Sequence, residues 1–204
     1  MTTAFLNEYT ITVASGAQAV TAGAANFLVV AIGSTGDVTA VTWDGVAMTQ
    51  GVELNFTNQA EVWYLLNPAK SGTYTLAITA TGFNQAFMMF FSGVWSLAGS
   101  PVYDTSSTGN TDLSVSVSVD VEKVGDLVCY AAFKASSGGT WANVEDGAGY
   151  AGGLSGGAYE DDVPAAGAGA EGAAFESGGS FATAIVGISF KQQPAIANQS
   201  FWFS

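Results

Sequence analysis

The chain has 204 residues, of which 49% are apolar and only 10% are charged, so it is a packed globular protein and not a disordered one. Four lysines stand against seventeen acidic residues, and the net charge is −13. Four scattered cations cannot displace the counterions of a nucleic acid or hold an anionic membrane surface, which excludes both as partners. Histidine is absent and cysteine occurs once, which excludes His-dependent nucleophilic catalysis, an intrachain disulfide and a Cys/His zinc site.

Short apolar runs predict β-strands along the whole chain, and no segment has the spacing of an amphipathic helix. Residues 9–13 alternate apolar and threonine side chains, whereas 26–33 is a continuous apolar run that suits a central strand. Asp44-Gly45 separates predicted strands at 37–43 and 46–49 and is a strong hairpin signal. Further strands are predicted at 61–66, 73–79, 87–94, 113–119, 127–133 and 181–190. About ten strands with short links predict an all-β fold, an antiparallel β-sandwich.

Two segments depart from this pattern. Residues 145–180 are rich in glycine and alanine, so we predict a loop insertion there, either a plain connection or a surface that becomes ordered against a neighbour. After Pro194 the chain runs to Phe201, Trp202 and Phe203, three adjacent aromatic side chains that predict a protein-interaction element. They would fold back onto the domain or dock into another subunit. The predicted organisation is one sandwich domain over 1–191, with 145–180 inside it, and a C-terminal tail over 192–204.

The residues offer little catalytic chemistry. Acids on or near the predicted strands could form a pair for glycoside hydrolysis: Asp44, Glu53, Glu61, Asp126, Glu145 and Asp146. Asp44 is better explained by its turn, and Trp43 and Trp63 by strand cores, so we predict that the protein is not an enzyme. Cys129 lies in an apolar run and is predicted to be a buried hydrophobe.

Oxygen ligands for a hard cation are found in the glycine-rich segment. Glu160, Asp161 and Asp162 are consecutive, and Glu145-Asp146 precede them. The spacing of a calcium loop is absent, so a solvated loop tip is the favoured interpretation and a bound calcium ion the alternative. No cofactor and no metal site are predicted.

Five segments, in order, carry a resemblance over most of residues 9–191. They are V-T-W-D-G-V-A-M-T, W-Y-L-L-N-P-A-K-S-G-T-Y-T-L-A-I-T, F-S-G-V-W-S-L, G-D-L-V-C-Y-A-A and S-F-A-T-A-I-V-G-I-S-F. Together they resemble a jelly-roll-like β-sandwich module of tailed-phage virion proteins and bacterial surface proteins. These motifs fix turns and core, so they are more specific for the fold than for the function.

The resemblance implies a non-enzymatic capsid decoration, head-fibre or tail-tip protein. Such a subunit would form a homo-oligomer, a trimer or another closed ring, and would dock on a capsid or tail protein. It would be assembled in the host cytoplasm and found in the virion, and the absence of a secretory signal pattern at the N-terminus fits this location. The alternative is an extracellular carbohydrate-binding module that recognises a cell-surface glycan, with Trp141 as the best candidate contact because its strand context is weakest.

Overall fold

The computed structural model describes residues 3–12, 14–95, 100–135, 139–144, 147–152, 154–161, 163, 167–177 and 179–194. Within these ranges the chain forms antiparallel β-strands and no helix, so the prediction of an all-β antiparallel fold is confirmed. The structure has seventeen strands in these ranges, whereas the sequence predicted about ten. Several of the additional strands lie in the glycine-rich segment that was predicted to be a loop.

The strands fall into an N-terminal and a C-terminal set. The first set is β1 (Ala4–Ile11), β2 (Ser15–Thr21), β3 (Phe27–Ser34), β4 (Val38–Trp43), β5 (Val46–Ala47), β6 (Thr49–Asn55), β7 (Gln59–Leu66), β8 (Ser71–Ala80) and β9 (Phe83–Ser92). The second set is β10 (Val102–Asn110), β11 (Ser114–Val121), β12 (Leu127–Lys134), β13 (Gly139–Ala142), β14 (Gly147–Gly152), β15 (Ser155–Glu160), β16 (Gly167–Ser177) and β17 (Thr183–Phe190).

Four sheets stack as four layers. The N-terminal outer sheet has the order β2-β8-β4-β5, and it packs on the N-terminal inner sheet, β1-β9-β3-β7-β6. The C-terminal inner sheet, β10-β17-β12-β15-β14, packs on the C-terminal outer sheet, β11-β16-β13. The two inner sheets face each other across the largest apolar core. Because β3 and β12 are central in their sheets and covered on both faces, every residue in them is buried.

The two halves share one strand order. If β1, β2, β3 and β4 correspond to β10, β11, β12 and β13, and β6–β9 to β14–β17, both inner sheets read the same way. The outer sheets also correspond, except that β5 has no partner among the described strands of the second half. A β-bulge recurs at the same place, between Phe5 and Asn7 in β1 and between Val102 and Asp104 in β10. The chain is therefore built as two copies of one topology.

Aromatic contacts between the inner sheets follow this correspondence. Tyr64 stands edge-on to Phe190, with ring centroids 5.4 Å apart. The register makes Tyr159 the counterpart of Tyr64 and Phe91 the counterpart of Phe190. Tyr159 stands edge-on to Phe91 at 5.3 Å. Each half thus gives the other the same contact, as the two subunits of a two-fold symmetric dimer do.

The glycine-rich segment is a correction to the sequence prediction. Residues 145–180 contain β14, β15 and β16, and β15 is fully buried between layers. The missing side chains make room for large neighbours: a Cβ at Gly157 would lie 2.9 Å from Phe87 Cβ and 3.1 Å from Ala31 Cβ. Small residues here allow the inner sheets to approach closely, which composition alone does not reveal.

The Asp44-Gly45 turn is confirmed, since both residues have positive φ values, 50° and 77°, and connect β4 to β5. No helix among the described residues is long and apolar enough to cross a membrane.

Candidate functional site

One buried carboxyl group stands out among the candidate acids. Glu61 lies on β7 with 1% of its surface exposed, opposite Glu53 on the edge strand β6. Glu61 Oε2 accepts hydrogen bonds from Trp63 Nε1 at 2.8 Å and from Gln50 Nε2 at 3.1 Å, and Gln50 Nε2 also donates to Glu53 Oε2 at 2.6 Å. Burial raises the pKa of Glu61 to about 7, against the opposing effect of these hydrogen bonds.

The pair of Glu61 and Glu53 has the elements of an acid–base couple, a carboxyl with a raised pKa beside an exposed carboxylate. However, only 1% of the Glu61 surface is exposed, so its carboxyl group is not open to a substrate. We therefore interpret Glu61 as a titrating group of the core.

The other acids on the described residues have structural roles. Asp44 is in its turn, as predicted. Asp126 is buried, and its carboxylate accepts hydrogen bonds from the backbone N–H groups of Lys123 at 3.1 Å and Gln192 at 2.8 Å. It thereby ties the turn before β12 to the segment after β17.

The prediction of a solvated acidic loop tip is wrong for Glu160. This residue ends β15, is fully buried and accepts a hydrogen bond from the Tyr130 hydroxyl at 2.8 Å. Asp161 accepts a hydrogen bond from the backbone N–H of Phe5 at 2.7 Å, which links the two halves. Asp162, Glu145 and Asp146 lie outside the described residues. The part of the chain that the structure describes contains no group of three or more acidic or cysteine side chains arranged to hold a metal ion.

Trp141, the predicted glycan contact, is half-buried on β13. Its ring stands edge-on to Phe175 with centroids 5.0 Å apart, and its Nε1 donates to the Tyr150 carbonyl at 3.0 Å. Trp141 therefore anchors the C-terminal outer sheet to the layer beneath it. Trp43 is fully buried and donates to the Ala69 carbonyl at 2.8 Å, a matching arrangement in the N-terminal half. Cys129 is fully buried, as predicted, and burial raises the pKa of its thiol.

A groove lined by polar, uncharged side chains lies on the solvent side of the C-terminal outer sheet. Its volume is about 330 Å³. It is lined by Ser106, Thr108, Ser116, Val117, Ser118, Asn143, Gly172 and Ala173. The serines at 116 and 118 point outward because they alternate with core valines on β11. From the sequence we predicted only a strand at 113–119, and the alternation of serine with valine there is the signal from which the groove's floor could have been anticipated.

An exposed apolar end is the second surface of interest. Phe56, Leu113 and Phe181 are 41%, 57% and 39% exposed, and they lie where β10 ends and β17 begins. Phe56 packs against Gly109 on β10, and Asn58 Nδ2 donates to the Ala182 carbonyl at 3.2 Å. The turn after β6 and the segment before β17 therefore meet at this end of the molecule. We call these three side chains the apolar end.

The predicted interaction residues Phe201, Trp202 and Phe203 lie outside the described residues. Comparison with protein-family models, with curated proteins and with solved structures finds no match to this chain. The resemblance to virion modules accordingly stays a prediction.

Proposed function

We propose that this protein is a non-enzymatic structural subunit of a phage or virus particle, a capsid decoration or fibre protein that self-associates and docks on a larger assembly. The observation that carries the proposal is the strand order. With the strands of the first half lettered B to I and β6 left out, the inner sheet reads B-I-D-G and the outer sheet C-H-E-F. Jelly rolls have the same order, and viral capsid proteins and lectins use that fold, which supports the proposal.

The second half supports the same assignment. Its inner sheet reads B-I-D-G and its outer sheet C-H-E, with β14 in the place of β6. Two halves of one strand order, with a net charge of −13 and few charged residues, suit a rigid building block that remains soluble at high local concentration. A shared fold does not specify a binding partner, so the contacts with other subunits have to be sought on the surfaces of this chain.

For self-association we propose that Phe201, Trp202 and Phe203 of one copy bind the apolar end of the next. The last described residue, Pro194, lies beyond the end of β17, whereas the apolar end lies at its start. Seven residues of extended chain reach about 24 Å, and β17 itself is about 25 Å long. A segment of that reach is shorter than β17, which supports a contact of the tail with a neighbouring copy.

A mixing experiment tests this head-to-tail contact. The variant F56S/F181S keeps the tail and loses the apolar end, and the variant F201A/W202A/F203A keeps the apolar end and loses the tail. We expect wild-type protein to form higher oligomers in sedimentation velocity, each variant alone to remain monomeric, and an equimolar mixture to form one-to-one dimers. Wild-type protein that stays monomeric, or a mixture that does not dimerise, would contradict the proposal.

The carbohydrate-binding alternative is a second candidate function. It is favoured by the polar groove on the C-terminal outer sheet, because lectins also use the jelly roll. Both functions are compatible in a particle that adheres to a glycan.

A further inference from the structure

The groove on the C-terminal outer sheet is formed by parts of the chain that are distant in sequence. Ser106 and Thr108 come from β10, Ser116 and Ser118 from β11, and Asn143 follows β13. Its volume of about 330 Å³ is at the lower end of the range for small-molecule sites. The side chains converge because β11 lies next to β16 in the outer sheet and close to β10 of the inner sheet.

The chemistry of the lining selects the class of ligand. Hydroxyl groups and a carboxamide both donate and accept hydrogen bonds, so they complement a molecule that carries many hydroxyl groups of its own. Within the part of the chain that the structure describes, no charged side chain lines the groove, and the chain as a whole carries a net charge of −13. Phosphate, sulfate and carboxylate ligands would therefore meet repulsion without a compensating cation.

The floor of the groove lets a ligand approach the backbone. Gly172 on β16 lies opposite Ser118, and a Cβ there would be 3.0 Å from the Val117 carbonyl oxygen and 3.4 Å from Ser118 Cβ. A glycine inside a strand marks a place where another group can approach closely. At the rim, Asn143 has a left-handed backbone with φ of 61°, a conformation that is uncommon outside glycine and is often found at binding sites.

We propose that this groove binds a neutral oligosaccharide, with Ser106, Thr108, Ser116, Ser118 and Asn143 as its hydrogen-bonding groups. The site differs from the glycan contact predicted from the sequence, because Trp141 is engaged with Phe175 and Tyr150 beneath the sheet. No aromatic ring among the described residues lines the groove, so a single site binds weakly, and many copies on one particle supply avidity. The inference deepens the second candidate function and does not rest on self-association.

The test is a titration of the full-length chain followed by the backbone amide resonances. The probes are maltotriose, mannotriose and N,N′,N″-triacetylchitotriose as neutral ligands, with 3′-sialyllactose and inorganic phosphate as anionic ones. We expect at least one neutral probe to shift the amides of Ser116, Ser118 and Gly172 saturably, with a Kd of roughly 1 mM, about −4 kcal/mol. The anionic probes should leave these resonances unchanged.

Three variants locate the site. Gly172→Leu fills the groove and should abolish the shifts, and Ser118→Ala should weaken binding by about tenfold, the effect of one lost hydrogen bond. Ser114→Ala is the matched control, since it is exposed on the same strand outside the groove and should bind as the wild type does. Ser118→Ala removes only an exposed hydroxyl group, so this variant is expected to fold. It therefore tests the site even if Gly172→Leu does not fold.

Two results would overturn the proposal: no saturable shift with any neutral probe at 50-fold the expected Kd, or shifts that persist unchanged in Ser118→Ala. Repeating the titration on the monomeric F201A/W202A/F203A variant separates the two functions. Retained glycan binding by that variant supports the groove even if the head-to-tail contact fails.

Discussion

Glu61 shows how one residue can make the stability of this protein depend on pH. Its side chain is buried, and this burial raises the pKa of its carboxyl group to about 7 from an ordinary 4.5. In the unfolded chain the group releases its proton near pH 4.5, whereas in the folded protein it holds the proton until about pH 7. The folded state therefore binds more protons, so stability is complete below about pH 4.5 and falls as the pH rises to about 7.

Glu61→Gln is expected to remove this dependence. The amide oxygen of glutamine can accept the hydrogen bonds from Trp63 and Gln50 without carrying a charge. At pH 8 the variant should be more stable than the wild type by on the order of 2 kcal/mol, and at pH 4 the two should be equally stable. Urea unfolding at both pH values measures this.

Glu176→Gln is the control for that experiment. Glu176 is exposed on β16, in the other half of the chain, and its substitution should change the free energy of unfolding by less than about 0.5 kcal/mol at either pH. A Glu61→Gln variant that is less stable than the wild type at pH 8 would show that the buried carboxylate is a net stabilising group.

At the scale of elements, glycine in β15 sets how closely the inner sheets approach. Gly157→Ala places a methyl group against Phe87 and Ala31, both of which are buried and held by their own strands. We expect the substitution to lower the free energy of unfolding by about 1–3 kcal/mol, the usual cost of overpacking a core. Thermal unfolding of Gly157→Ala measures it.

Gly23→Ala is the matched control, because a Cβ there would meet only Ser71 Oγ at 3.9 Å, an ordinary contact. It should leave stability unchanged or raise it slightly by restricting the unfolded chain. Equal stability of the two variants would mean that the inner sheets can move apart at no cost.

The strands predicted from the sequence are those with a clear apolar pattern. β3 and β12 were indicated by continuous apolar runs, β4 and β5 by the Asp44-Gly45 turn, and β11 by alternation with serine. β14, β15 and β16 were missed because their glycine and alanine residues bury little area, and the rings that pack on the glycines of β15, Phe87 and Phe175, belong to β9 and β16. In these strands, packing against residues distant in the sequence outweighs the low strand propensity of glycine and alanine. A short stretch of sequence does not contain those distant residues.

The candidate sites were harder to predict for the same reason. Trp141 was singled out by its weak strand context, but its partners Phe175 and Tyr150 become neighbours only through pairing between strands. The groove joins residues 106–118 to residues 143–173, and such a juxtaposition follows from sheet order and not from spacing in the sequence.

At the scale of the whole molecule, the core between the inner sheets should make the two halves unfold together. This core contains Tyr64 and Phe91 from one half and Tyr159 and Phe190 from the other. We expect a single calorimetric transition whose van't Hoff and calorimetric enthalpies agree. Tyr64→Ala and Tyr159→Ala should each lower the free energy of unfolding by about 3 kcal/mol. Each should therefore shift the single transition to a lower temperature.

Thr75→Ala, on the exposed face of the N-terminal outer sheet, is the control and should leave the transition unchanged. Two separate transitions, with each tyrosine variant shifting only one of them, would contradict the single cooperative unit and with it the prediction of one domain over 1–191.

The internal pairing of the halves also determines what the molecule can present to its surroundings. Since the inner faces of the two halves pack against each other, the two outer sheets lie on opposite sides of the molecule, about 30 Å apart. In a dimer of identical chains these two faces would have to be the same, but in a single chain they are free to differ. One is a plain surface of threonine, serine and alanine on β2 and β8, and the other carries the groove. One polypeptide thus presents two different faces, which would let a docked subunit keep the groove side open to the medium.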